Sequence, residues 1–180
     1  MAIVCLLNKN LLRSSNCGYS LPEIVDLYLI NNDDFVSAAT TDSSTGEDEI
    51  TGITLVTGAS VYHVEPARNS ASFEDTLVVE DNGNKYRNAS VTFNVTGAYS
   101  PALHAALDAL SLGRYKVVIK TADGNYLMMG RVAPLEAETA TLAGGSDTNG
   151  MSIVLSGNIA ESPLTMSAEA VGQLLEKVKA

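Results

Sequence analysis

SFEDTLVVEDNGNKYRNASVTFNV (residues 72–95), SPALHAALDALSLG (100–113) and RYKVVIKTADGNYLMMGR (114–131) hold two hairpin signals around one short helix. In the first arm Phe73, Leu77 and Val79 share one face and Glu74, Thr76 and Glu80 the other, the two-residue period of a half-buried strand. Asn82-Gly83 suits a tight type I′ turn, which needs positive φ at both central residues. The return arm alternates Ala89, Val91, Phe93 and Val95 against Ser90, Thr92 and Asn94, so burial specifies its register. A helix follows. Ser100 is the expected N-cap and Pro101 the first helical residue, where a missing N–H costs nothing. Leu103, Ala106, Leu107 and Leu110 form its apolar stripe, and Gly113 is the expected left-handed terminator. The second hairpin alternates Tyr115, Val117 and Ile119 against Lys116 and Lys120 and turns at Asp123-Gly124. The expected unit is ββαββ.

Outside this unit, residues 24–30 (IVDLYLI) read as a largely buried strand. Residues 53–56 and 60–64 are strand candidates interrupted near Gly58, and 139–142 and 151–155 flank a turn region at Gly144-Gly145-Ser146. The chain ends in an expected helix over 166–179, with Ser167 as its cap and Ala170, Val171, Leu174, Leu175 and Val178 on one side. Glu169 and the pair Lys177 and Lys179 suit the two ends of its dipole.

Residues 31–52 differ in character. They carry Asp33, Asp34, Asp42, Glu47, Asp48 and Glu49, no Lys or Arg, and a Thr/Ser/Gly-rich centre, too little apolar surface to fold alone. The expectation is one domain over 1–180 with a long acidic loop or arm at 31–52, either a solvated insertion or an arm that orders against a neighbouring subunit.

At 180 residues the chain is long enough for one substantial core. It is 46% hydrophobic and only 18% charged, apolar enough that some surface is expected to be buried between subunits. A net charge of -10 with scattered Lys and Arg argues against a phosphate-binding surface. The AIVCLL run at 2–7 is too short for a membrane span and lacks a preceding basic region, so cytoplasmic synthesis without a membrane partner is expected. Cys5 and Cys17 show no pairing pattern, and the acceptor-like triplets at 88–90 and 94–96 read as coincidental without a secretory signal.

Reaction chemistry is hard to find. His63 and His104 show no carboxylate or cysteine at metal-ligand spacing, no Gly-x-Ser-x-Gly surrounds a serine, and Gly144-Gly145 lacks the rest of a phosphate loop. Asp33-Asp34 and Asp48-Glu49 are acidic pairs without the ordered calcium-loop spacing. The expectation is a non-enzyme with no catalytic residue, cofactor or metal.

VYHVEP (61–66), the 72–95 hairpin, the helix at 102–113, VVIKTADGNYLMMGR (117–131) and NCGYSLPEIVDLYLIN (16–31) together resemble tail-tube-like virion structural proteins of tailed phages infecting Bacteroides-type bacteria. That resemblance implies a mainly β (α+β) fold: a β-sandwich or partly closed barrel with one central flanking helix and a C-terminal helix. It also implies a virion location after assembly in the host cytoplasm, as a subunit of a stacked ring, commonly of six copies. The expected partners are further copies of the chain and other tail or connector proteins, with DNA passing through the lumen unbound. An acidic lumen would repel phosphates. Two other readings stand beside it: a collar, connector or tail-end ring on a related fold, and a carbohydrate- or protein-binding β module. The last needs exposed aromatics, whereas the chain has no Trp and Phe73 and Phe93 lie on expected buried faces.

Overall fold

The computed structural model describes residues 23–41, 48–96, 101–144 and 149–179. The fold is mainly β and its sheets are antiparallel. The strands are β1 (Ile24–Asn31), β2 (Phe35–Thr40), β3 (Ile50–Leu55), β4 (Tyr62–Val64), β5 (Ser72–Val79), β6 (Lys85–Val95), β7 (Arg114–Thr121), β8 (Tyr126–Met129), β9 (Leu135–Gly144), β10 (Asn149–Ile159) and β11 (Leu164–Thr165). Helix α1 (Pro101–Leu112) lies between β6 and β7, and α2 (Ala168–Leu175) follows β11. One nine-stranded sheet runs β11-β8-β7-β9-β10-β6-β5, with β1 on β7 and β4 on β1; β2 and β3 form a separate hairpin.

β7 organises the sheet. It pairs with β1 along its length, from Tyr115↔Asn31 to Thr121↔Ile24. Its other edge is divided between β9, at Arg114 and Tyr115, and β8, from Val117 to Lys120. Strands covered on both faces need apolar residues at consecutive positions, which explains VVI in β7 and LYLI in β1. Leu27, Leu29, Val117 and Ile119 enter a first core with Val91 and Phe93 of β6, Ile153 and Leu155 of β10, and Leu107 and Leu110 of α1. Tyr28, Ile30 and Val118 point the other way, into a second core closed by Ile50, Met166, Ala170 and Leu174. Each fully buried aliphatic side chain contributes about 1.5–3 kcal/mol of transfer free energy.

The structure corrects several sequence expectations. β7 is not half-buried: Lys116, expected on a wet face, is 3% exposed. Its Nζ donates to the Arg131 carbonyl at 3.2 Å and lies 5.4 Å from the Phe35 ring centroid. Burial pushes this ammonium below its ordinary range, partly offset by the negative charge of Glu161. Within the acidic segment, residues 35–40 and 50–52 are strand rather than loop. β2 and β3 pair from Phe35↔Leu55 to Thr40↔Ile50, and Ile50 is fully buried under α2. The Gln173 side chain accepts from the Ile53 N–H at 2.9 Å, stitching the hairpin to the helix. Phe35, Ala38 and Ile50 of this segment pack in the second core, so removing them would open it.

Both hairpin tips differ from type I′. Only Gly83 and Gly124 have positive φ, at 86° and 84°. Gly83 N–H donates to the Glu80 carbonyl and Glu80 N–H to the Asn84 carbonyl, both at 2.9 Å, with the same pattern at Thr121, Gly124 and Asn125. These are three-residue loops, a type I turn followed by a left-handed Gly. The Asn82 side chain accepts from the Asn84 N–H at 2.9 Å, which explains why Asn is favoured there without positive φ.

α1 begins at Pro101 as expected, while Ser100 lies outside the described residues. Leu107 and Leu110 are buried and Ala106 is exposed, so the stripe is narrower than anticipated. Gly113 does not adopt positive φ; a Cβ there would collide with the Tyr115 ring, whose hydroxyl donates to the Ala109 carbonyl at 3.0 Å. Ser167 caps α2, accepting from Ala170 N–H at 3.3 Å. The helix stops at Leu175 because the chain then pairs with β4's approach: Val61 N–H donates to the Lys177 carbonyl and Lys179 N–H to the Val61 carbonyl. β9 and β10 are longer than the expected short strands at 139–142 and 151–155.

Gly113→Ala should cost about 1–3 kcal/mol by forcing the Tyr115 ring out of place, measured by urea unfolding. Lys116→Met should raise stability by about 1 kcal/mol at pH 7, because it removes a desolvated ammonium. The folded-state Lys116 titrates below the unfolded chain's, so the unfolded chain binds more protons in between and wild-type stability climbs with pH toward about 10.4. The advantage of Lys116→Met should therefore shrink over that interval.

Candidate functional site

β5 begins as SFEDTLVV, alternating in sequence like a strand with one buried face. Register places Phe73, Leu77 and Val79 opposite Val91, Arg87 and Lys85 of β6, on the sheet face that lines the first core. Yet the core reaches only as far as β6. Phe73 is 40% exposed, Leu77 53% and Val79 57%, which corrects the expectation that this face is buried. Phe93, expected to be buried, is fully so.

The reason is position. Among the described residues β5 pairs with β6 alone and ends the sheet, so one edge of its backbone has no strand beside it. Its opposite face carries Glu74, Thr76 and the neighbouring Glu80, with Thr76 Oγ1 donating to Glu74 at 2.9 Å. The edge strand is anchored by Asp75 and Arg87: the guanidinium Nε donates to both carboxylate oxygens at 2.8 Å, and Ser162 Oγ donates to the same carboxylate at 2.9 Å. That fork draws Arg87 onto Asp75, and Leu77 beside it stays open to solvent. An open strand edge with an apolar face is a template for strand addition.

Two charged clusters lie on the other side of the sheet. Arg131 makes a two-pronged bond to Glu161, at 2.7 and 2.6 Å, near the buried Lys116 and Asp48. The second cluster centres on Asp26, which is 8% exposed in the middle of β1. One of its oxygens takes the Lys120 ammonium and the other His63 Nε2, each at 2.8 Å. Burial alone would raise the Asp26 carboxyl; the hydrogen bonds and charges of Lys120 and His63 outweigh it and hold the group below its ordinary range. The His63 ring stacks on Tyr28 with centroids 5.0 Å apart. Burial and the Asp26 charge push the Tyr28 hydroxyl up to about 12.

Beside His63 and Glu65 is an apolar cleft of about 520 Å³ under α1, walled by Leu29, Val64, Phe93, Leu107 and Leu110. The sequence reading found no carboxylate near His63 at ligand spacing; the fold supplies Asp26 from another strand, and Glu65, two residues along, reaches the same point. Two signals marked this cluster: a lone Asp inside the apolar run IVDLYLI, and His-x-Glu in an extended segment.

Among the described residues, the acidic side chains expected to form one arm do not converge. Asp33 is exposed, 3.9 Å from Arg114, and Asp34 accepts from the Asn31 side chain at 2.8 Å. Asp48 is nearly buried and Glu49 bonds through its backbone to Thr41, at the opposite end of the β2–β3 hairpin, roughly 20 Å away by strand length. Asp42 and Glu47 lie outside the described residues. His104, on the solvent side of α1, is exposed. No helix among the described residues is long and apolar enough to cross a membrane. Comparison with protein-family models, with curated proteins and with solved structures finds no match.

The open edge makes a quantitative contrast. In dilute monomer, Phe93→Ala should cost about 3–5 kcal/mol, whereas Leu77→Ala, on the same face one strand outward, should cost within about 0.5 kcal/mol. Urea midpoints of the two variants check it.

Proposed function

We propose that this chain is a non-enzymatic structural subunit that joins copies of itself edge to edge, a tail-tube-like virion ring protein. The observation that carries the reading is β5, whose open backbone edge and uncovered Phe73, Leu77 and Val79 provide both hydrogen bonds and apolar area for a neighbour. A ring requires two different patches that meet head to tail. The sheet offers them, with β5 at one end and β4 and β11 at the other. Side chains from β1 and β7 share one core with those from β6 and β10, the curl that a sandwich or partly closed barrel needs. The net charge of -10 suits a lumen past which DNA slides without binding.

A collar or connector would use the same edge but stop at one ring. A carbohydrate module would use exposed aromatics; Phe73 is flanked by Leu77 and Val79 on an open strand edge, which favours a strand as its partner over a sugar.

Negative-stain electron microscopy of the purified chain should show rings or tubes with a central hole, stacked tubes for a tube protein and single rings for a connector. Leu77→Lys with Val79→Lys should leave the circular dichroism unchanged and reduce the particles to monomers. Compact wild-type monomers across a range of concentrations and salts would overturn the assembly reading.

A further inference from the structure

The Asp26 cluster has the donors of a metal site, and we propose that Asp26, His63 and Glu65 bind a divalent transition metal of the zinc type. One ligand atom from each of the three residues lies within 4.8 Å of the others, on two adjacent strands and the turn after β4. One imidazole and two carboxylates form a borderline donor set suited to zinc, whereas magnesium and calcium favour oxygen ligands alone.

The hydrogen bond between His63 Nε2 and Asp26 Oδ1, 2.8 Å long, marks where the ion sits. A metal bound about 2.0–2.2 Å from each atom replaces the shared proton and needs the pair to open only slightly. His63 enters as neutral imidazole, so a protonated ring releases one proton on binding.

The surroundings resemble the support that ligands receive in metal centres. The Tyr28 ring lies 18° from parallel with the imidazole and fixes its plane. Lys120 holds Asp26 through Oδ2, leaving Oδ1 for the ion and orienting the carboxylate from outside. Its positive charge opposes the cation, while Glu65 adds a second negative one, so the neutral-imidazole cluster still carries net negative charge. Glu65 is exposed and His63 partly so, which gives the ion a path from solvent. Because Glu65 and part of His63 face solvent, a water can complete the set as fourth ligand. The bound ion would tie β1 to β4 at the sheet end opposite β5.

The test uses the full chain and zinc chloride in isothermal titration calorimetry, with cobalt(II) absorption as a second readout. Wild type should take up one zinc per chain, and cobalt should give tetrahedral visible bands without thiolate charge transfer. Glu65→Gln, at an exposed position where folding is not at risk, should weaken binding at least about tenfold, and His63→Ala should abolish it. A variant carrying Cys5→Ser, Cys17→Ser and His104→Ala should bind like wild type. Absence of uptake by wild type, binding unchanged in Glu65→Gln and His63→Ala, or binding lost in the Cys5, Cys17 and His104 variant would each overturn the assignment.

Discussion

The pairing of β7 with β1 is the constraint on which the other elements depend. Both strands are covered on both faces, so each presents alternate residues to a different core: Leu27, Leu29, Val117 and Ile119 to one side, Tyr28, Ile30 and Val118 to the other. A one-residue slip would exchange the two sets and spoil both cores together. The β2–β3 hairpin and α2 can close only the side that displays Ile30 and Val118. β6, β10 and α1 can close only the other. The division of β7's free edge between β8 and β9 then displaces the chain sideways and carries the sheet around the first core.

Polar groups reinforce that pairing. Asp26 of β1 and Lys120 of β7 are register partners, and their side chains meet at 2.8 Å. Asp26 binds β4 through His63 as well, so one carboxylate joins three strands. On the same β7 face Lys116 is desolvated and held by a single carbonyl. The strand therefore carries one charge that is well paired and one that costs stability.

What could be read from sequence follows from locality. The strands of the 72–131 unit, the start of α1 at Pro101 and the Ser167 cap depend on neighbours within a few residues, and they form where expected. Apart from the turn geometry at Asn82-Gly83 and the end of α1 at Gly113, the failures are tertiary. Alternation in β5 correctly assigns Phe73, Leu77 and Val79 to one face, but whether anything covers that face depends on strand order, which periodicity does not encode. Lys116 looks like a solvent-facing residue until β2 closes over it. The polar run at 31–52 lacks apolar area of its own, and its described strands pack because Ile50 finds a pocket under a helix more than a hundred residues away in sequence. Asp26 and His63 meet for the same reason, through strand pairing between distant segments.

The apolar face of β5 then has a physical reading. It continues the first core past the point where the chain has material to cover it, and its backbone edge is open beside it. Burying both against a neighbouring copy removes exposed apolar area and an unpaired strand edge in one contact. The most direct measurement is amide hydrogen exchange along β5 in assembled and dilute protein. The account predicts that alternate β5 amides, those pointing away from β6, exchange quickly in the monomer and become protected on assembly. Equal, rapid exchange of those amides in both states would contradict it.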